Sequence, residues 1–258
     1  MITSKDNEMI KHVSKLLSSS SYRKECQCFV AEGARLCMDG VLSGAVISAF
    51  LYTKDGMEKY SQEFEKILSA SQRNFEISEP LFKKISDTNS PQGLLCVFSL
   101  DKKTLSDKIE KGKYYAALEN IQDPSNMGTI LRTAEALDIS GVILSKDCCD
   151  IYSPKVTRGS MGAIFRLNII IAENFTEYIS EISKSGIMTY ASTPRNAEDI
   201  ENTDFSKGGI MLIGNEGNGL KEETIKACSK RVKINMKGRA ESLNAAAAAA
   251  ILLYRFQQ

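Results

Sequence analysis

From Tyr114 onward the chain alternates short, near-continuous apolar runs with segments of helical period, and that alternation leaves few folds open. The runs cover residues 114–118, 141–144, 165–171, 187–191, 209–213 and 231–236. Between them, residues 126–137 place Ile130, Leu131, Ala134 and Leu137 on one helix face. Phe175, Tyr178, Ile179 and Ile182 do the same before a stop at Gly186. Strands that are apolar throughout have both faces buried, which predicts a mainly parallel sheet with helices on each side. In such sheets ligands bind outside the carboxyl ends of the strands. The residues that follow each strand are therefore the ones to read for chemistry.

The first hundred residues carry the same alternation on a smaller scale. Met9, Val13, Leu16 and Leu17 recur at helical spacing. A strand turns into a helix near Gly33, further strands are expected over 46–52 and 93–99, and Met57, Tyr60, Phe64 and Leu68 mark an amphipathic helix. Residues 81–85 read as a short helix and 88–93 as a turn. This predicts a separate small α/β domain over residues 1–100. Residues 101–113, charged and weakly periodic, read as a linker with room for a helical turn, and the second domain occupies 114–258.

At 258 residues with 43% hydrophobic and 25% charged content, the chain has ample material for such cores. Its net charge of +1 excludes a globally basic nucleic-acid binder but not a local basic patch. Seven cysteines form no C-x2-C pair and a single His is present, so a zinc site is not expected and no metal is assigned. Reduced thiols in a cytoplasmic protein are the simpler reading. No apolar run is long enough for a membrane span, and no membrane partner is expected.

Three stretches stand just after predicted strands. In the first, Asn126 and Gly128 lie in the opening turn of a helix, where free N–H groups favour an anion, and Arg132 follows on a largely apolar helix. A bland account makes Asn126 a cap and Arg132 a surface residue. In the second, Gly214-Asn-Glu-Gly-Asn-Gly-Leu220, three glycines in six residues let backbone approach a ligand. Their order is G-x-x-G-x-G rather than the dinucleotide G-x-G-x-x-G, and Glu216 would repel a phosphate. It suits a hydroxyl, an amine or an arginine. The third runs from Lys233 through a turn at Gly238 into a helix opening near Ser242, with six consecutive alanines at 245–250. Ile251, Leu252, Leu253, Tyr254 and Phe256 finish it and are expected to be buried. A helix bare of side chains for nearly two turns admits close backbone neighbours.

Two basic segments contain no acid: 224–240, with six cations, and 153–166, which includes Lys155 and Arg158 and reads as a loop folding around a ligand. Arg23, Lys24 and Arg35 add cations in the first domain. These are candidate contacts for RNA phosphate, although solvated surface explains many such charges.

Taken together, Asn126-x-Gly-x-x-x-Arg132-Thr-Ala, Gly214-Asn-Glu-Gly-Asn-Gly-Leu220 and Ile234-x-Met-x-Gly-x-x-Glu-Ser-Leu-Asn244 resemble, in order and spacing, the three motifs of the SpoU/TrmH family. That family consists of RNA 2′-O-ribose methyltransferases of the SPOUT superfamily. Ser153-Pro-Lys with Arg158-Gly-Ser-Met-Gly-Ala looks similar too, and Ile2-Thr-Ser, Phe29-Val-Ala-Glu-Gly-Ala-Arg and Ser90-Pro-Gln-Gly93 resemble its L30e-like substrate-binding domain. The resemblance implies a C-terminal trefoil knot, S-adenosylmethionine as cofactor, a homodimer and an RNA substrate, rRNA by analogy with the two-domain members. It implies cofactor contacts at Gly214, Ile234, Leu243 and Thr193, with Gly219 and Met236 from the same motifs. It also assigns ribose orientation to Asn126, a hold on Arg132 to Glu216, and substrate contacts at the turn to Ser242 and Asn244. Proton removal from the ribose hydroxyl falls to Arg132. Two roles are open there, because a pKa of about 12 or more makes arginine a poor base but a good phosphate-positioning charge. The alternatives are tRNA as substrate, a base as methyl acceptor, a nucleotide enzyme of Rossmann type, or a non-catalytic RNA binder.

Overall fold

The computed structural model describes residues 1–100 and 109–258. Most of the expected linker and its helical turn lie outside the described residues. In chain order the elements are α1 (Glu8–Ser18), α2 (Ser20–Cys26), β1 (Cys28–Glu32), α3 (Ala34–Leu42), β2 (Ile47–Tyr52), α4 (Lys54–Lys59), α5 (Ser61–Ala70), β3 (Asn74–Glu76), α6 (Glu79–Ile85) and β4 (Leu94–Ser99). Then follow β5 (Tyr114–Leu118), α7 (Pro124–Ala136), β6 (Gly141–Ser145), α8 (Pro154–Gly159), α9 (Ala163–Arg166), β7 (Ile169–Ala172), α10 (Phe175–Lys184), β8 (Thr189–Ser192), β9 (Glu198–Asp199), β10 (Gly209–Ile213), α11 (Glu222–Ala227), β11 (Lys230–Lys233) and α12 (Ala245–Gln257). The described residues form two compact units: 1–100 with Asp150–Arg166, and 109–149 with Leu167–Gln258.

The first unit is built on a sheet ordered β1-β4-β2-β3, antiparallel except for the β2/β3 pair. Its inner strands β4 and β2 are almost wholly apolar because each face carries a core. Val30, Ala49, Leu95 and Val97 meet Ile10, Val13 and Leu16 of α1 and Leu81, Phe82 and Ile85 of α6. On the opposite face Phe29, Phe50, Cys96 and Phe98 meet Ala34, Leu36 and Cys37 of α3 and Phe64 and Ile67 of α5. The period-2 alternation of strand side chains assigns neighbours to opposite faces. Gly40 lets α3 lie on the sheet, since a Cβ there would come within 2.4 Å of the Phe98 ring. The helix expected through residues 57–68 is two helices, α4 and α5, which meet at Tyr60 where φ is −119° and ψ is 44°.

The second unit holds a seven-stranded sheet ordered β7-β6-β5-β10-β8-β11-β9, parallel at every pairing. The expected strands at 114–118 and 209–213 match β5 and β10, and the mainly parallel α/β reading holds. On one face Ile143, Ile170, Ile210 and Leu212 pack against Phe175, Ile179 and Ile182 of α10. Beyond this core, Phe256 of α12 sits in a ring cluster with Tyr114, Tyr190 and Phe205, centroids 5.1 to 5.5 Å from it. Ala245, Ala246 and Ala249 are buried along α12.

Several expectations need correction. The run at 165–171 is divided: Phe165 ends a helical turn and stacks with Phe29 and Phe98 in the first unit, whereas only Ile169–Ala172 joins the parallel sheet. Residues 153–166 form α8 and α9 rather than a loop. The last strand stops at Lys233, because Ile234 and Met236 leave the sheet to line a cavity. The final helix begins at Ala245, not near Ser242, since Asn244 caps it by accepting from Ala246 N and Ala247 N. Ile251 and Tyr254 were expected inside but are 42% and 59% exposed, while Leu252, Leu253 and Phe256 are buried.

Candidate active site

The site lies in the second unit, at the carboxyl ends of β5, β10 and β11. Each strand there gives way to one of the three motif stretches. The glycine loop after β10 doubles back on itself. Asn215 N donates to Gly219 O at 3.0 Å and Gly219 N returns to Asn215 O at 2.9 Å. The Asn215 Oδ1 accepts from Gly217 N and Asn218 N at 2.9 and 3.1 Å. A Cβ on Gly214 would stand 2.1 Å from the Gly219 carbonyl carbon and 2.2 Å from Leu220 N, so only glycine fits. The loop is thus a small rigid ring, not a flexible flap.

Glu216 projects from this ring onto the start of α7. Its carboxylate accepts from Gln122 N at 3.2 Å, Asp123 N at 3.1 Å, Asn126 Nδ2 at 3.0 Å and Asn215 Nδ2 at 3.3 Å. Packing around the carboxyl pushes its pKa up, but the Asn126 amide and the backbone N–H groups of Glu216, Asp123 and Gln122 outweigh that. The net effect holds it below the usual value. The expected partner, Arg132, is not among the donors to Glu216. Arg132 instead stands exposed on α7, its side chain making no hydrogen bond or ion pair among the described residues. The physical reason is local. The N–H groups of Gln122 and Asp123, just before α7, are nearer and better aligned donors to the carboxylate than a guanidinium farther along the helix.

Asn126 is buried, 7% exposed, and both ends of its amide are used. Nδ2 donates to Glu216, and Oδ1 accepts from Asn244 Nδ2 at 2.9 Å. Asn244 in turn accepts from Ala246 N at 2.9 Å and Ala247 N at 3.2 Å. A continuous relay Glu216–Asn126–Asn244 therefore joins the three motifs, which are distant in sequence. Asn126, expected to orient a ribose, is foremost the bridge in that relay. Ser242 lies exposed on the turn just before Asn244.

Beside the relay is a cavity of about 560 Å³. Gly214, Gly219, Thr193, Ile234, Met236 and Leu243, the six expected cofactor residues, all line it. Its wall is mostly apolar side chains and glycine-loop backbone, which fits a flat apolar ring system with a few backbone hydrogen bonds. The carboxylate of Glu216 at its rim favours a cationic ligand over a phosphate. These features fit a sulfonium nucleoside and argue against a dinucleotide.

The candidate RNA residues divide differently. Arg23 is 5% exposed and locked inside the first unit, its Nε and Nη2 2.8 and 2.7 Å from Asp150 Oδ2 and its Nη1 on Leu16 O. It is not placed to touch RNA, because a buried ion pair leaves the guanidinium no free donor face. Lys24, Arg35 and Lys155 are exposed, and Arg158 is part-exposed, 2.5 Å from Asp87 Oδ2. Arg35 and Arg158 line one cavity of about 250 Å³ with Gly33 and Gln92. Sequence reasoning missed Glu119, Asn120, Gln122 and Asn215. The usable signal was Glu119, a single acid closing an otherwise apolar strand.

With this geometry in place, likeness to known proteins assigns the class. A family model described as the SpoU rRNA Methylase family matches residues 113–254, and one described as an MRM3-like substrate binding domain matches 7–96. The chain belongs to the SpoU rRNA methylase family. It is 25% identical over 256 residues to the 23S rRNA (guanosine(2553)-2′-O)-methyltransferase of Bacillus subtilis, covering 99% of this chain and 98% of that one. A Synechocystis protein named as an uncharacterized tRNA/rRNA methyltransferase is 28% identical over 253 residues, covering 98% of this chain and 92% of the other. The AdoMet-bound rRNA methyltransferase of Sinorhizobium meliloti superposes with a TM-score of 0.87 at 29% identity, over 99% of this chain and 96% of that chain. The protein is therefore a methyltransferase of this family, built on a SPOUT-type α/β unit with a substrate-binding unit before it.

Proposed function

We propose that the protein transfers a methyl group from S-adenosylmethionine to a ribose 2′-hydroxyl of rRNA. The observation that carries this reading is the relay Glu216–Asn126–Asn244, which ties the three motif stretches together around a cleft beside the cofactor cavity. S-adenosylmethionine supplies an electrophilic methyl on a sulfonium. Gly214, Ile234, Met236 and Leu243 hold it by backbone and apolar contact. Thr193 and Gly219 complete the wall. Ser242 and the turn it sits on face the incoming ribose. Arg132 binds the RNA phosphate beside the reacting hydroxyl and stabilises the charge that develops on that oxygen as the hydroxyl proton passes to solvent and the neutral thioether leaves. An exposed guanidinium with no side-chain partner among the described residues suits that task better than general-base work.

In this reading the first unit binds RNA through Lys24, Arg35, Lys155 and Arg158. The active form is a homodimer, supported by the exposed Ile251 and Tyr254 beside Arg132 on a groove of about 570 Å³ between α7 and α12. The C-terminal segment is threaded as a trefoil knot, which the thin alanine face of α12 would permit. A cytoplasmic location agrees with seven free cysteines. No described helix is long and apolar enough to cross a membrane.

The test uses labelled S-adenosylmethionine and rRNA, with 2′-O-methyl mapping of the product. Arg132→Ala is expected to lower turnover roughly 10²-fold while methyl-donor affinity stays within about twofold. Near-normal turnover removes Arg132 from the mechanism. Methyl transfer to tRNA but not rRNA redirects the substrate assignment.

A further inference from the structure

Glu119 closes β5 and is 2% exposed, although no motif uses it. Its Oε2 accepts from Lys221 N at 2.8 Å and its Oε1 from Thr224 Oγ1 at 2.7 Å. A carboxylate only accepts, so the Thr224 hydroxyl donates to it. Thr224 is fully buried, and its hydroxyl then receives the Thr176 hydroxyl at 2.8 Å. Lys221 and Thr224 mark where the chain leaves the glycine loop and starts α11.

The other side of that loop is already fixed. Glu119 N donates to Ile213 O at 2.9 Å, Asn215 Nδ2 to Asn120 O at 2.8 Å, and Glu216 holds Gln122 N and Asp123 N. Because the 215–219 ring is closed on itself, it can move only as a body about its two ends. Glu216 reaches from the loop to the β5–α7 junction, and Glu119 reaches from that junction back to the loop's far end. A buried carboxylate is costly unless its acceptors are satisfied, so this one holds its two donors firmly.

We propose that Glu119 is a positioning residue for methyl-donor binding: it clasps the exit of the glycine loop and so holds the Gly214–Gly219 backbone against the cavity. The clasp deepens, and rests on, the reading of that cavity as the S-adenosylmethionine site. Glu119 does not contact the reacting atoms, so its removal should weaken donor binding while leaving the chemical step.

The experiment compares Glu119→Ala, Glu119→Gln and Thr224→Val in the full chain. It reads S-adenosylmethionine affinity by calorimetry, KM against kcat, and amide hydrogen exchange without ligand. Glu119→Ala should raise exchange within 214–224 while β10 and α7 stay protected. It should weaken donor affinity about 10- to 100-fold, with kcat at saturating donor near that of the wild type. Glu119→Gln should restore both readouts, because its amide oxygen accepts from Lys221 N and its N–H donates to a rotated Thr224 hydroxyl. Thr224→Val removes one arm alone, should fall between them, and serves where Glu119→Ala does not fold. Unchanged exchange and affinity in both Glu119→Ala and Thr224→Val overturn the clasp. So does a rise in exchange spread over the whole second unit, or a Gln variant as weak as the Ala variant. A wild type that ignores S-adenosylmethionine would instead sink the donor reading, and loop exchange alone would then decide the clasp: raised in Glu119→Ala supports it, unchanged overturns it.

Discussion

The two units pair their charged side chains in opposite ways. In the first, Arg23 and Asp150 form a charged pair with side chains 6% and 15% exposed, and the arginine also takes backbone carbonyls of α1. In the second, the exposed carboxylate of Glu216 meets only neutral donors, and a chain of side-chain amides carries the connection onward to Asn244. The arginine of that region, Arg132, is left outside. The contrast teaches that an arginine is read by its partners rather than by its neighbours in sequence. Where a carboxylate answers it inside the fold, it is structural. Where backbone N–H groups have claimed the carboxylate, the cation is free for an anionic ligand.

The sharpest way to break this contrast is Arg23→Ala. It strands Asp150 in a poorly solvated place and should cost about 3–5 kcal/mol, measured by urea unfolding of the first unit. A loss under about 1 kcal/mol would mean that the pair is not structural, and would reopen Arg23 as an RNA contact. Next in size is Gly214→Ala, whose Cβ would fall 2.1 Å from the Gly219 carbonyl carbon. Displacing the ring should weaken S-adenosylmethionine binding by about 10²-fold, and retained affinity in calorimetry would show that the ring does not shape the cavity. A smaller effect is expected from Asn244→Ala. It removes a helix cap worth about 1 kcal/mol together with one link of the relay. The loss should appear in thermal melting and, more strongly, in turnover.

The smallest effect concerns acid. The Glu216 carboxyl is held below its ordinary value of 4.5, so the folded state binds its proton more weakly than the unfolded chain does. Its contribution is fully present above pH 4.5 and is lost as pH falls through the lower folded value. Wild type should therefore lose stability more steeply than Glu216→Gln on acidification below pH 4.5. Identical acid slopes would show that the four donors do not favour the ionised form.

Much of this was readable along the chain. Apolar runs at 114–118 and 209–213 are β5 and β10, because a strand buried on both faces has to be apolar throughout. The six cofactor candidates line one cavity because each follows, or lies on a turn beyond, a parallel strand, and such strands end together at one edge of the sheet. Other parts were not legible for definite reasons. Phe165 and Ile169 belong to one apolar run but to different units, and hydrophobicity carries no label for which core a side chain enters. Arg23 and Arg35 look alike in sequence, and only the approach of Asp150, 127 positions away, separates them.

By itself the order of residues determined the α/β class, the parallel sheet and the three stretches around the site, since periodicity and glycine spacing act locally. Tertiary structure alone decided which partner each polar group found. It gave Glu216 to the backbone just before α7 instead of Arg132, and the lone acid Glu119 to the start of α11. The reason is that a hydrogen bond depends on distances of about 3 Å, which are set by packing between segments a hundred residues apart.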